Sequence, residues 1–212
     1  MFDNDNAYSN REMIERQLIN RGISNPAVLQ AFLDVDRAWF VPGEMQEHTY
    51  DDHAVTIGHE QTISQPYMVA FMSEYLKLDK TDKVLEIGTG TGYQTAILSK
   101  LAKEVYTIER IPALGEKSKK LLDSMGFDNI HYRIGNGFEG WPEEAPFNAV
   151  IVTAAPENIP ENLAYQLALG GHMLVPVGER HCPQTLYRLK RLSHKFEIDD
   201  LGPVAFVPML NE

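Results

Sequence analysis

Apolar positions recur at helical spacing in the first third of the chain. In "SNREMIERQLINR", residues 9 to 21, Met13, Ile14, Gln17 and Leu18 fall on one face, and Gly22 suits the position just past a helix end. Asn25-Pro26 offers a cap followed by proline in the first turn, and Val28, Leu29, Phe32 and Leu33 continue a second amphipathic helix. "RAWFVP" and the polar run to Gly58 read as loop or extended chain, with Pro42-Gly43 as punctuation. Helical spacing resumes from Gln65 to Leu78 through Met68, Val69, Met72, Tyr75 and Leu76.

From Lys83 short apolar runs alternate with helices. "KVLEI", "EVYTIE", "IHYRI", "NAVIVTA" and "HMLVPVG" read as strands, and "QTAILSKLA", "LGEKSKKLLDSMG" and "IPENLAYQLALGG" as the helices between them. This alternation predicts an α/β fold, a doubly wound and mostly parallel sheet with right-handed crossovers. "QTLYRLKRL" and "AFVPML" follow with no helix between them, which predicts an antiparallel C-terminal edge. The expected organisation is one domain over 1–212, with an N-terminal helical extension and active-site loop over 1–80 and the Rossmann-like core and C-terminal strands over 81–212.

Composition narrows the partners. Hydrophobic residues make up 43% and charged residues 23% of the 212, enough apolar surface for one substantial core. Thirty acidic against nineteen basic side chains leave a formal charge of −11, which argues against long nucleic acid as a partner, since that affinity rests on cationic neutralisation. Cys182 is the single cysteine and the chain opens without a basic-then-apolar leader, so the expected compartment is the cytoplasm. No run approaches the roughly 20 apolar residues of a membrane-spanning helix.

The chemistry concentrates at "VLEIGTGTGYQT". A strand ends at Ile87, glycines follow at 88, 90 and 92, and a helix starts near Tyr93 or Gln94. Glycines allow a tight turn and close backbone approach of a ligand, and the helix start offers free N–H groups. A dinucleotide fingerprint starting at Gly88 needs glycine at 93, where the chain has Tyr93, so a pyrophosphate ligand is disfavoured. Glu86 stands at the strand end, where a carboxylate attracts a cationic ligand. Glu109 ends the next strand 21 residues after Gly88, close to the offset of about 20 at which an acid meets ribose hydroxyls. An adenosine-bearing cofactor without pyrophosphate fits this pattern.

Several runs together carry a more specific resemblance: "GHEQTISQP", "VLEIGTGTGYQTAIL", "VYTIER", "GNGFEGWPEEAPFNAVIVTAAPENIP", "QLALGGHMLVPVG" and "FVPML", from about Asp51 to Leu210. In these the chain resembles the protein-L-isoaspartate O-methyltransferases. The resemblance implies a Rossmann-like methyltransferase fold and transfer of methyl from S-adenosylmethionine to the free carboxylate of isoaspartyl residues in damaged proteins, the first step of their repair. It implies that Glu86, Gly88, Thr89 and Gly90 line the methionine end of the cofactor, Glu109 takes the ribose with Arg110 beside it, and Asn136 and Gly137 lie beside the adenine. Two positions depart from the family pattern. Asn136 replaces the usual Asp, and Glu60 stands where the family commonly has a small residue, usually Gly, which would add a carboxylate near an anionic acceptor.

The acceptor in this family is already an anion at neutral pH, since a model carboxyl has a pKa of about 4. It needs alignment and exclusion of water rather than a base. Hydroxyls and amides orient an oxygen anion without holding its lone pair as tightly as Lys or Arg. On this reading Ser64 is the residue nearest the transfer, Thr62, Ile63 and Val207 shape the acceptor site, and Gln61 reaches the cofactor or its loop. Thr62 and Ser64 also have the character of caps for the helix at Gln65-Pro66, a role expected to coexist. The histidines at 48, 53, 59, 131, 172, 181 and 194 show no ligand spacing, so no metal is assigned. The main alternative is a diverged carboxyl methyltransferase with another acceptor. A nucleic-acid methyltransferase is disfavoured because the strand after Phe147 ends in "TAAP" rather than an Asn/Asp-Pro-Pro-aromatic run.

Overall fold

The computed structural model describes residues 9–179 and 182–211. The first helical segment holds, although it mixes geometries: α1 (Asn10–Met13) passes into a π turn (Ile14–Leu18) and a 3-10 turn (Ile19–Arg21) that ends at Gly22 in the left-handed region. Ser9 caps α1 reciprocally with Glu12. Then α2 (Pro26–Asp34) starts on the Asn25 cap and Pro26, as read from the sequence. The segment expected to be loop or extended chain contains a hairpin of β1 (Val55–Gly58) and β2 (Gln61–Ile63), after which α3 (Pro66–Tyr75) begins.

The remaining elements are β3 (Lys83–Ile87), α4 (Tyr93–Leu101), β4 (Glu104–Glu109), α5 (Pro112–Ser124), β5 (Ile130–Ile134), β6 (Phe147–Val152), α6 (Glu161–Tyr165), β7 (Leu167–Val177), β8 (Gln184–Arg191) and β9 (Phe196–Val204). They form a seven-stranded sheet in the order β5-β4-β3-β6-β7-β8-β9, parallel from β5 to β7 and antiparallel beyond. The doubly wound, mostly parallel sheet with an antiparallel edge is therefore present. Two details differ. The helix expected over 159–171 is cut to α6, because Leu167 already pairs with Phe147, and the register then shifts before Ala149 pairs with His172. The last edge strand is β9 and not "AFVPML", which runs as extended chain past the sheet end and meets it at a single bridge between Ala155 and Pro208.

Both faces of the sheet are buried. Val84, Val105, Ala149 and Ile151 pack with α2, α3 and α4 on one face; Leu85, Ile108, Val150 and Val152 pack with α6 on the other. Helix α4 is buried on nearly every side, since the N-terminal helices cover the face that an ordinary amphipathic helix turns to water. Phe32 and Phe40 hold the ring of Tyr93, the first residue of α4, at 5.9 and 5.4 Å between centroids. The extension is thus packed against the helix that starts at the glycine loop.

Glu86 lies on the α4 side of β3 and is completely buried. Its Oε2 accepts from Thr95 Oγ1 of α4 at 2.5 Å and from Thr107 Oγ1, its register partner on β4, at 2.6 Å. Thr107 thereby spends its one proton, so Thr89 of the glycine loop donates to it at 2.7 Å. Glu86 Oε1 has no partner among the described residues. Burial pushes the carboxyl up to about 8, against the opposing effect of the two hydroxyls.

Two expectations follow from these local structures. The unfolded chain releases the Glu86 proton near the ordinary 4.5 while the fold keeps it to about 8, so this group favours the fold at low pH and that advantage is lost as pH rises between those values. Glu86→Gln flattens the decline, measured as unfolding free energy against pH; an unchanged slope contradicts the assignment. The turn of the β1-β2 hairpin has His59 and Glu60 at φ of 53° and 56°, the pattern of a type I′ turn, which favours glycine. Glu60→Gly relieves a left-handed cost of roughly 1–2 kcal/mol, part of which glycine's chain entropy offsets, and the melting temperature rises.

Candidate active site

The strand order reverses at β3, with β4 on one side and β6 on the other, so the crevice at their carboxyl ends is the expected ligand position. Backbone hydrogen bonds shape its floor. Gly88 N–H donates to the Ile108 carbonyl at 2.8 Å, Thr153 N–H to Ile87 at 3.0 Å, and Thr153 Oγ1 is shared between the Ile87 and Gly88 carbonyls at 2.9 and 3.0 Å. The glycine loop is thereby fastened to both neighbouring strands. Gly88 is required on two counts: its φ is 98°, and a Cβ would stand 2.4 Å from Thr153 Oγ1.

The cleft above this floor encloses about 860 Å³, mouth included. Its walls bring together Gln61, Thr62, Ile63, Ser64, Gly88, Thr89, Gly90, Glu109, Arg110, Gly137 and Val207, all singled out from the sequence and spread over most of its length. Glu109 is 6% exposed, with Oε2 accepting from Gly90 N–H and Oε1 from Ile111 N–H, each at 2.8 Å. A carboxylate has about four acceptor positions, so lone pairs remain on both oxygens. Gly137 lies close against Ile87, whose Cγ2 a Cβ would approach to 2.4 Å, and its backbone forms part of the wall.

Two sequence candidates stand elsewhere. Glu86 is not in the cleft wall: it sits beneath it, two hydrogen bonds from the wall through Thr107 and Thr89, and as a chiefly neutral acid at pH 7 it offers no charge to a cationic ligand. The reading of Glu86 as a direct ligand, drawn from its place at the strand end, is replaced by a role in supporting Thr89. Asn136 also lies outside the wall, because its Oδ1 turns back to accept from Phe138 N–H at 3.0 Å and caps a 3-10 turn. The same side chain holds Gly137 in place. Glu60 is exposed at the hairpin tip and lines a neighbouring cleft with His59 and Arg110 rather than the main one.

The hairpin presents Thr62 and Ser64 to the cleft. Neither caps α3, whose N-cap is Gln65 with no side-chain hydrogen bond, so the capping role read from the sequence is not used. Ser64 Oγ makes no hydrogen bond among the described residues. Sequence reading missed the support behind this strand. Arg37 is fully buried, donates from Nε to the Thr49 carbonyl at 2.8 Å and from Nη2 toward the Ile63 carbonyl at 3.5 Å, and lies 5.2 Å from the Tyr93 ring centroid. Burial lowers its guanidinium to about 10, still charged at neutral pH. The one available signal was an arginine opening the otherwise apolar "RAWFVP". Thr153 and the Met209 wall were missed as well; Ala155 fixes the C-terminal segment through Ala155 N–H to Val207 O and Met209 N–H to Ala155 O, each 2.8 Å.

Comparison with known proteins agrees with this geometry. The model of the family described as protein-L-isoaspartate(D-aspartate) O-methyltransferase matches residues 8–212. A protein-L-isoaspartate O-methyltransferase of Picosynechococcus sp. is 47% identical over 94% of this chain and 89% of its own. One from Dictyoglomus turgidum is 48% identical over 97% and 92%. A crystal structure of a putative protein-L-isoaspartate O-methyltransferase from Plasmodium falciparum, in complex with S-adenosyl-L-homocysteine, superposes with a TM-score of 0.85 at 26% identity, covering 97% of this chain and 100% of that one. By the match of nearly its whole length, the chain belongs to the protein-L-isoaspartate(D-aspartate) O-methyltransferase family.

Proposed function

We propose that the cleft transfers a methyl group from S-adenosylmethionine to the free carboxylate of L-isoaspartyl residues, and that this initiates repair of damaged proteins in the cytoplasm. One observation carries the assignment of roles. The cleft is lined both by the glycine loop with Glu109 and by the segment just after β2, which offers the unengaged hydroxyl of Ser64. The cofactor supplies an activated methyl group on a sulfonium centre. The residues present fit it: Glu109 keeps acceptor capacity on both oxygens for a pair of ribose hydroxyls, and Gly137 brings bare backbone to the wall, where an adenine ring can approach closely. Gly88 and Gly90 let the chain approach closely, and Thr89 is held from beneath by Thr107.

On the acceptor side Ser64 Oγ donates to the incoming carboxylate and sets its direction. Thr62 and the Ile63 backbone shape the wall, with the charged Arg37 behind the Ile63 carbonyl keeping the strand in place. Val207 lines the opposite side, on a segment fixed by Ala155 and suited to run beside a peptide. Gln61 closes the wall toward the loop, and Arg110 flanks Glu109. No group in this arrangement has to remove a proton, because the acceptor is ionised at neutral pH. With a net charge of −11 the partners are isoaspartyl peptides and proteins rather than nucleic acid. The rival reading, a diverged carboxyl methyltransferase, draws on Glu60, but that side chain stands outside the main cleft.

Ser64→Ala removes a hydrogen bond to a charged group, of about 1.5–3 kcal/mol, so kcat/KM for an isoaspartyl peptide falls roughly ten- to hundredfold while cofactor affinity holds. Labelled methyl transfer to peptides that differ only in isoaspartyl or normal aspartyl linkage checks both this and the acceptor. Equal labelling of the two, or of neither by cofactor-loaded protein, sinks the reading. Glu109→Gln weakens S-adenosylhomocysteine binding by roughly tenfold or more, read by titration calorimetry, since a charged acceptor becomes neutral; unchanged affinity would place the ribose elsewhere.

A further inference from the structure

We propose that His48, Asp51 and His53 form a site for one divalent transition-metal ion of the zinc class, at the rim of the acceptor cleft. The three lie on one short segment ahead of β1, and their ligand atoms fall within 4.8 Å of one another. Asp51 Oδ2 is 2.8 Å from His48 Nδ1 and 3.3 Å from His53 Nε2. A backbone hydrogen bond of 3.2 Å from Asp51 N–H to the His48 carbonyl sets the turn that brings the first two together.

The contacts of the two rings set which atoms face Asp51. His53 Nδ1 lies 2.9 Å from the Ala54 carbonyl oxygen, which only accepts, so Nδ1 carries the ring proton. Nε2 is the ring atom left to ligate, and it stands 3.3 Å from Asp51 Oδ2. The Nδ1–H to carbonyl hydrogen bond is the arrangement that orients a metal-bound imidazole. His48 Nδ1 is hydrogen-bonded to Asp51 Oδ2 at 2.8 Å, a contact that a bound ion would replace, and its Nε2 stands 3.4 Å from Glu47 Oε1.

The donor set selects the metal class. Two imidazole nitrogens and one carboxylate oxygen suit zinc and its neighbours, with a fourth position open to water, whereas calcium and magnesium favour all-oxygen sets. Zinc–ligand bonds of about 2.0–2.1 Å in a tetrahedron imply ligand separations of about 3.3 Å; Asp51 Oδ2 stands at 3.3 Å from His53 and 2.8 Å from His48. All three side chains are partly exposed, so an ion can enter.

The position gives the ion a structural consequence. Asp52, between the ligands, pairs with Arg21 at 3.0 Å and accepts from Gln65 Nε2 at 2.7 Å, and His53 lines the outer cleft that Ser64 also reaches. A bound ion clips the segment that forms this wall. The assignment stands apart from the methyl-transfer reading, because its test measures binding alone.

Tag-free full-length protein titrated with Co(II) and followed by visible absorbance should show one saturable ion per chain, displaced by Zn(II). His48→Ala and His53→Ala each weaken binding by more than about tenfold, the least expected for a lost ligand when outer-shell changes alone cost that much. His194→Ala, at a separate exposed position, leaves binding unchanged. Asp51→Asn, which preserves side-chain shape, gives the same loss as the histidine variants and guards against misfolding. Absence of saturable 1:1 binding, or binding that His53→Ala leaves intact, overturns the proposal.

Discussion

The carboxyl end of β3 is where the structure's polar and apolar demands meet. A central parallel strand is buried on both faces, yet this one carries Glu86, and three threonine hydroxyls around it are committed as a result. Thr107 and Thr95 donate to the carboxyl, and Thr89 donates to Thr107, so β3, β4, α4 and the glycine loop share one hydrogen-bond chain. Because the loop takes its direction from this buried chain, its backbone reaches the cleft already positioned. Preorganised backbone of this kind is what a transfer reaction without a base requires, since orientation has to supply much of the rate.

A second constraint operates from the other side. The hairpin carrying Ser64 has little sheet of its own, with only two short strands, and such a pair is marginal without support. Support comes from the N-terminal extension. Arg37 is held by the Thr49 carbonyl and reaches the Ile63 carbonyl, while Phe32 and Phe40 pack on Tyr93. A buried guanidinium with no carboxylate partner among the described residues is costly, and the Thr49 and Ile63 carbonyls offset only part of that, since Nη1 finds no partner among those residues. The extension therefore supports the cleft wall at Ile63 as well as covering α4.

Much of this was legible along the chain. The alternation after Lys83 carries the parallel sheet because each strand must be apolar on both faces and each crossover needs a helix of a few turns. The glycine loop and Glu109 were legible as one site because close backbone approach needs glycine, and the structure brings Gly88, Gly90 and Glu109 to one cleft. The hairpin at 55–63 was not legible: its turn residues are His59 and Glu60, neither of which signals φ > 0, and Asn-Gly or Asp-Gly would have done so. The tail "FVPML" looks like a strand by composition, but hydrogen bonding to Ala155 is all the sheet offers it.

Local pattern thus determined the order and type of the elements and the residues with chemistry at their ends, because periodicity and turn preference act within a few positions. Which way a side chain faces was decided only by packing. Glu86 and Asn136 carry the right functional groups at the right places in the chain, yet the first is drawn under the loop by two threonines and the second is turned back onto Phe138 N–H. His48, Asp51 and His53 converge because a backbone turn folds the segment on itself, and Arg37 reaches Ile63 from 26 residues away. Contacts of that kind depend on the direction of each side chain in space, which one-dimensional spacing does not carry.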